Sequence, residues 1–114
     1  MGRSYKIIPC GSAEGVVCLA LSGDIDIAAH DALSEAIFAA VRPGVTVVVV
    51  DLARVTFFDS GAVGVLLAGR NAARRADCGF QVRNAPELVH RILRTTGIAH
   101  LLTDDRFVQP PRTG

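Results

Sequence analysis

The chain has 114 residues, half of them hydrophobic and one fifth charged, a globular composition with room for one domain and a modest core, which excludes a disordered segment. Twelve Lys and Arg stand against eleven Asp and Glu, a net charge of +1, so no bulk field draws the chain to nucleic acid or an anionic membrane. No apolar run approaches the ~18 residues of a membrane span, and no charged-then-apolar signal peptide opens the sequence. The three cysteines, Cys10, Cys18 and Cys78, are odd in number and far apart. They make neither a Cys-x-x-Cys pair nor a disulfide framework, and they point to a reducing cytoplasm.

Residues 5–8 form a short apolar run ended by Pro9 and the Gly11-Ser12 turn signal, and residues 16–22 (VVCLALS) form a second. With a turn around residues 10–14 the two read as an antiparallel pair. Gly23-Asp24-Ile25-Asp26 reads as a polar loop. From Ala28 the period changes: Leu33, Ala36, Ile37, Ala40 and Val41 fall on one stripe of an amphipathic helix, which Pro43-Gly44 ends. Residues 45–52 (VTVVVVDL) are the strongest strand, and four consecutive valines leave it no polar face, as in a strand covered on both sides.

Residues 54–58 lead into a second helix over residues 63–76, with Val63, Leu66 and Leu67 on one side, Arg70, Arg74 and Arg75 mostly toward water, and Gly79 placed to cap its end. Residues 80–83 read as a short strand. Pro86 suits the first turn of a third helix with a stripe of Leu88, Val89, Ile92 and Leu93, ended by Thr96-Gly97. Residues 98–102 are a candidate last strand and residues 104–114 a loose tail. The order is β-β-α-β-α-β-α, with a possible final β. This describes an α/β single domain over residues 5–103: a mixed central sheet of four to five strands with three to four helices, between flexible termini at 1–4 and 104–114.

The most informative segment is Phe58-Asp59-Ser60-Gly61-Ala62-Val63, where the strongest strand turns into a helix. Backbone N–H groups at a helix start are unpaired and suit an anion. Ser60 is either a helix cap or a hydroxyl that carries a phosphate. A nucleophile elbow requires small residues two before and two after the serine. Here those positions are Phe58 and Ala62, and nothing in the sequence places His30, His90 or His100 beside Ser60. No P-loop and no Gly-x-Gly-x-x-Gly follows the first strand. Asp24 and Asp26, even joined by Asp59, lack the further oxygen ligands of a metal loop. Arg70, Arg74, Arg75, Arg91 and Arg94 are spaced as solvated helix faces without an aromatic platform. No enzyme signature survives, and a small domain of this kind is most simply a binding module without a cofactor.

Three segments together resemble a known family: Leu21-Ser22-Gly23-Asp24-Ile25-Asp26, residues 49–60 (VVDLARVTFFDS), and Val63-Gly64-Val65-Leu66-Leu67. They resemble the STAS domain, in particular the bacterial anti-sigma factor antagonists, and Thr95-Thr96-Gly97-Ile98 resembles the family's closing region. The resemblance implies a partner switch. The unphosphorylated antagonist binds an anti-sigma factor, itself a serine kinase, and frees the sigma factor. Phosphorylation of the antagonist ends binding, and a serine phosphatase resets it. By position, Ser60 is the phosphoacceptor. Asp24, Asp26, Asp59, Ser60, Gly61, Val63 and Gly64 are the partner-binding residues, with Asp26 near the phosphorylation site. The family motif reads Asp-Ser-Ser/Thr-Gly-Leu-Gly, whereas this chain has Asp59-Ser60-Gly61-Ala62-Val63-Gly64, so the second hydroxyl and the usual glycine are replaced. The implied protein is a monomer or weak dimer and not an enzyme. The alternative is a STAS scaffold or accessory subunit of a stress-sensing or transport complex, without a phospho-switch.

Overall fold

A computed structural model describes residues 4–97 of the chain; the expected final strand and tail lie outside them. The elements are β1 (Tyr5–Ala13), β2 (Val16–Ile25), α1 (Ile27–Ala40), β3 (Val47–Phe58), α2 (Ser60–Arg75), β4 (Gly79–Arg83) and α3 (Glu87–Thr96). The sheet runs β1-β2-β3-β4, with β1 antiparallel to β2 and the other two pairings parallel. The expected α/β order and mixed sheet are what the described residues show.

The four valines put β3 at the sheet centre. Val47, Val48, Val49 and Val50 are all buried, so both faces of the strand are covered, as a run without polar alternation demands. Pairing sets Val17 beside Val48 and Val48 beside Phe80, and likewise Leu19, Val50 and Val82 in line. These side chains share the face on which α1 and α2 pack. The helices sit side by side because Gly69 allows it: a Cβ there would come 2.5 Å from Ile37 Cγ2 and 3.5 Å from Phe80 Cε1. The α3 helix packs on β3 through Val89 and Leu93, both buried. It ends at Gly97 with φ 77°, a left-handed cap that suits glycine.

Five local expectations are corrected. Gly23-Asp24-Ile25-Asp26 is not a loop: β2 continues through Ile25, and Asp26 caps α1. Pairing with β3 carries the strand on, while Gly23 takes φ +83° and lies against Ser4 O, where no Cβ fits. Residues 54–58 are the last turns of β3 itself. The second helix starts three residues earlier than its apolar stripe, at Ser60, because Asp59 caps it. It ends at Ala76 and turns through Asp77 at φ 61°, a conformation a short polar residue tolerates, so Gly79 opens β4 instead of capping α2. Arg70 is 8% exposed, not turned to water, because it lies on the buried stripe with Leu66, Gly69 and Ala73 and its aliphatic stem packs there.

The cysteine reading is also corrected. Cys10 and Cys18 form a disulfide, with Cα atoms 5.1 Å apart. They are eight positions apart in sequence, but the β1–β2 hairpin folds the chain back so that they meet across the strands; Pro9 pairs with Leu19 and Ser12 with Val17 on either side. Cys78 is free and buried, its thiol pushed up by burial. Cysteine spacing therefore carries no argument about compartment. No helix among the described residues is long and apolar enough to cross a membrane.

Candidate functional site

The parallel pairing of β2 and β3 brings two strand ends together. Asp24 pairs with Phe57 and Ile25 with Phe58, and the Asp59 N–H donates to Ile25 O at 3.4 Å. Two helices start from this edge. Asp26 caps α1, its Oδ1 accepting from the Ala28 N–H at 3.1 Å, and Asp59 caps α2, its Oδ1 accepting from the Ala62 N–H at 2.8 Å. Ligand sites in open α/β sheets lie at such carboxyl ends of strands.

Ser60 is the first residue of α2, and its side chain is exposed. It does not cap the helix, since Asp59 does. The hydroxyl is therefore not consumed by local structure and stands at the positive end of a 16-residue helix, a place that tolerates an anion. Gly61 and Gly64 are exposed beside it on α2. Val63 is not: at 5% exposure it faces the core, so it supports this surface from beneath and does not offer itself to a partner. Asp24 and Asp26 are half-buried, and Asp24 Oδ1 accepts from the Thr56 hydroxyl at 2.8 Å. Thr56 thus ties the ends of β2 and β3. Two apolar side chains frame the patch: Ile27, the first residue of α1, is 80% exposed and Phe57 is 46% exposed.

The residue that sequence reasoning missed is His30. Its Nε2 lies 2.8 Å from Asp59 Oδ1, the oxygen that also accepts from Ala62. Burial raises the Asp59 carboxyl, but the His30 hydrogen bond, the Ala62 N–H and the imidazole's charge together outweigh it and hold the group below its ordinary value. The ring lies over Gly61: a Cβ on that residue would collide with Cε1 and come 3.0 Å from Nε2 and 3.1 Å from Nδ1. A signal was available in the sequence. Leu33, Ala36, Ile37 and Ala40 extended backward by one turn reach His30, so the ring stands at the edge of the stripe that faces α2. Among the described residues no group of three His, Cys, Asp or Glu side chains is placed to hold a metal ion.

The family model described as "Mlab, STAS domain" matches residues 11–103, most of the chain, and the protein belongs to the STAS domain family. Among solved structures, an anti-sigma factor antagonist from Mycobacterium paratuberculosis is 27% identical, with a TM-score of 0.77 over 87% of this chain and 83% of that one. The anti-sigma factor antagonist SpoIIAA of Bacillus shares the fold in both forms. The unphosphorylated form is 19% identical, with a TM-score of 0.71 over 94% of this chain and all of that one. The phosphorylated form is 18% identical, with a TM-score of 0.70 over 86% of this chain and 88% of that one. No curated protein matches the chain.

Proposed function

We propose that this chain is an anti-sigma factor antagonist whose binding is switched off by phosphorylation of Ser60. The observation that carries the reading is the Ser60 hydroxyl, exposed at the first position of α2 while the neighbouring Asp59 does the capping. A serine freed from structural work at the end of the central strands is available to a kinase and to a partner. The likeness to an antagonist at 27% identity supports the same reading.

The switch acts at the interface and leaves the fold in place. A phosphate adds about −1.5 to −2 charge, and the helix start accommodates it. A partner surface fitted to a neutral hydroxyl, with Asp24, Asp26 and Asp59 around it and Ile27 and Phe57 as apolar anchors, meets extra charge and bulk instead. A loss of about 3 kcal/mol weakens such a complex more than a hundredfold. Gly61, Gly64 and Val63 shape the surface without carrying charge. The kinase is the anti-sigma factor itself, and a serine phosphatase restores binding. The protein acts as a monomer or weak dimer, as one domain over residues 5–103.

The test is to incubate the protein with ATP and the ATP-binding anti-sigma kinases of its own organism, then locate phosphate by intact mass and peptide mapping. A single phosphate on Ser60, tight binding by Ser60→Ala and weak binding by Ser60→Glu support the switch. No phosphate, with equal binding by both variants, overturns it. A scaffold role without a switch is the second reading. It is favoured by Gly61 and Ala62 in place of the family's hydroxyl and glycine, and by a matching family model that carries the name Mlab and not that of the antagonists.

A further inference from the structure

We propose that His30 is the charge-sensing residue of the Ser60 site: a phosphate on Ser60 draws a proton onto the His30 imidazole, which then holds that phosphate against its own domain. The inference rests on the reading of Ser60 as phosphoacceptor and adds a device of this chain's own.

Three observations carry it. The ring touches the residues on both sides of Ser60, reaching Asp59 through a 2.8 Å hydrogen bond and lying over Gly61 so closely that no Cβ fits there. Ser60 lies in sequence between the ring's two contacts, at the first position of α2. The His30 and Asp59 side chains are 22% and 29% exposed, so charge placed there is less screened than between free surface groups. The remaining charged groups near the ring are acidic. Around its own helix they are the cap Asp26, one turn before, and Asp31, next in sequence; β2 carries Asp24 just before its last residue, and Asp59 caps α2. The α2 positions beyond Gly61 on that side, Gly64, Val65 and Ala68, carry no titratable group.

In its neutral form the imidazole has one N–H, and the bond to the Asp59 carboxylate requires it on Nε2. The second nitrogen, Nδ1, is then an acceptor and has nothing to offer a phosphate. Protonation from solvent changes that: His30 keeps its bond to Asp59 and gains an Nδ1–H donor for a phosphate oxygen. A phosphate dianion beside the ring favours that protonated form. The phosphorylated state then carries one more proton than the phosphate alone would bring, and its phosphate is partly neutralised from within the domain. Glycine at 61 is what makes room for the ring, so the missing hydroxyl and the histidine are two halves of one arrangement.

The experiment needs no kinase. Phosphoserine is placed at position 60 by genetic code expansion, and the histidine Cε1 signals of this protein and of the Ser60 protein are followed by NMR across pH. His30 is assigned by its loss in His30→Gln, and the exposed His90 on α3 serves as internal control. The expected result is a His30 midpoint raised by at least about half a pH unit, roughly a threefold gain in proton affinity, with His90 unmoved. A His30 midpoint that is the same with and without the phosphate overturns the proposal. The two readings fail separately: a shift of His30 with equal partner binding by Ser60→Ala and Ser60→Glu sinks the switch and keeps the sensor, and phosphorylation by the anti-sigma factor without a shift does the reverse.

Discussion

His30 and Gly61 compete for one place between α1 and α2: the imidazole fills the volume that any side chain at 61 would need. The pair explains why this chain lacks the second hydroxyl of the family motif. Gly61→Ser alone forces the ring out, breaks its bond to Asp59, and is expected to cost about 1–3 kcal/mol, the usual price of overpacking. His30→Ala with Gly61→Ser removes the clash and regains most of that loss, although neither change lies in the core. Urea unfolding of the two single variants and the double variant measures the coupling. Additive losses would show that ring and glycine are independent.

Asp59 carries the cap of α2 and the bond to His30 on the same oxygen. Its carboxyl is held below the ordinary value, so the unfolded chain binds a proton there at a higher pH than the folded one does. The resulting stability is fully present above about pH 4, the unfolded value. It is lost as pH falls through the folded value, when the carboxyl protonates in place. Asp59→Ala is expected to cost about 1 kcal/mol near neutral pH, as for other N-cap removals. The gap between wild type and variant in urea midpoints should narrow on going from pH 6 to pH 3. A gap that persists unchanged at pH 3 would place the effect of Asp59 in packing and not in its charge.

The two predictions concern residues that sequence exposed unequally. Asp59 and Ser60 were legible because a strand of four valines, a helical stripe after it and a polar pair between them leave little choice of arrangement. The order of elements was legible for the same reason, as each change of period marks a change of element. His30 was legible only as a position at the edge of the α1 stripe, because its bond to Asp59 depends on α1 lying beside α2, a contact across 29 residues of sequence. The tail of β2 was misread as a loop because Gly23, Asp24 and Asp26 are turn formers, yet pairing with β3 and the Ser4 carbonyl outweighs that preference. Arg70 was misplaced because charge was read ahead of helix phase. The cysteine pair was missed because spacing along the chain says nothing of register across a hairpin.

That pair yields the third prediction. Cys10–Cys18 closes a short loop through the β1–β2 turn, and a crosslink of this length is expected to contribute about 2–3 kcal/mol by restricting the unfolded chain. Cys10→Ser with Cys18→Ser, or reduction with dithiothreitol, should lower the melting temperature by roughly 10 °C for a domain of this size. Because the disulfide lies away from Ser60, in the first hairpin, both forms should bind the partner alike at 20 °C. The thiol count before and after denaturation checks the pairing: one thiol in the oxidised protein, that of buried Cys78, and three after reduction.

Ile27 and Phe57 present the last question, since a large apolar side chain 80% exposed at the start of a helix gains nothing for the fold. The two flank the strand ends that carry Asp24 and Asp59, Phe57 being paired with Asp24 in the sheet. On the proposed function they are the apolar anchors that a partner surface would bury, while the acidic groups and Ser60 set its charge. Ile27→Ala and Phe57→Ala should each leave the unfolding midpoint nearly unchanged, within about 0.5 kcal/mol, as exposed positions do. Each should also weaken binding to the anti-sigma factor about tenfold or more, as expected when an anchor is truncated. Isothermal titration with the unphosphorylated protein reads both. Full binding by the double variant would move the partner surface away from this edge, leaving Ser60 exposed there without an interface to control.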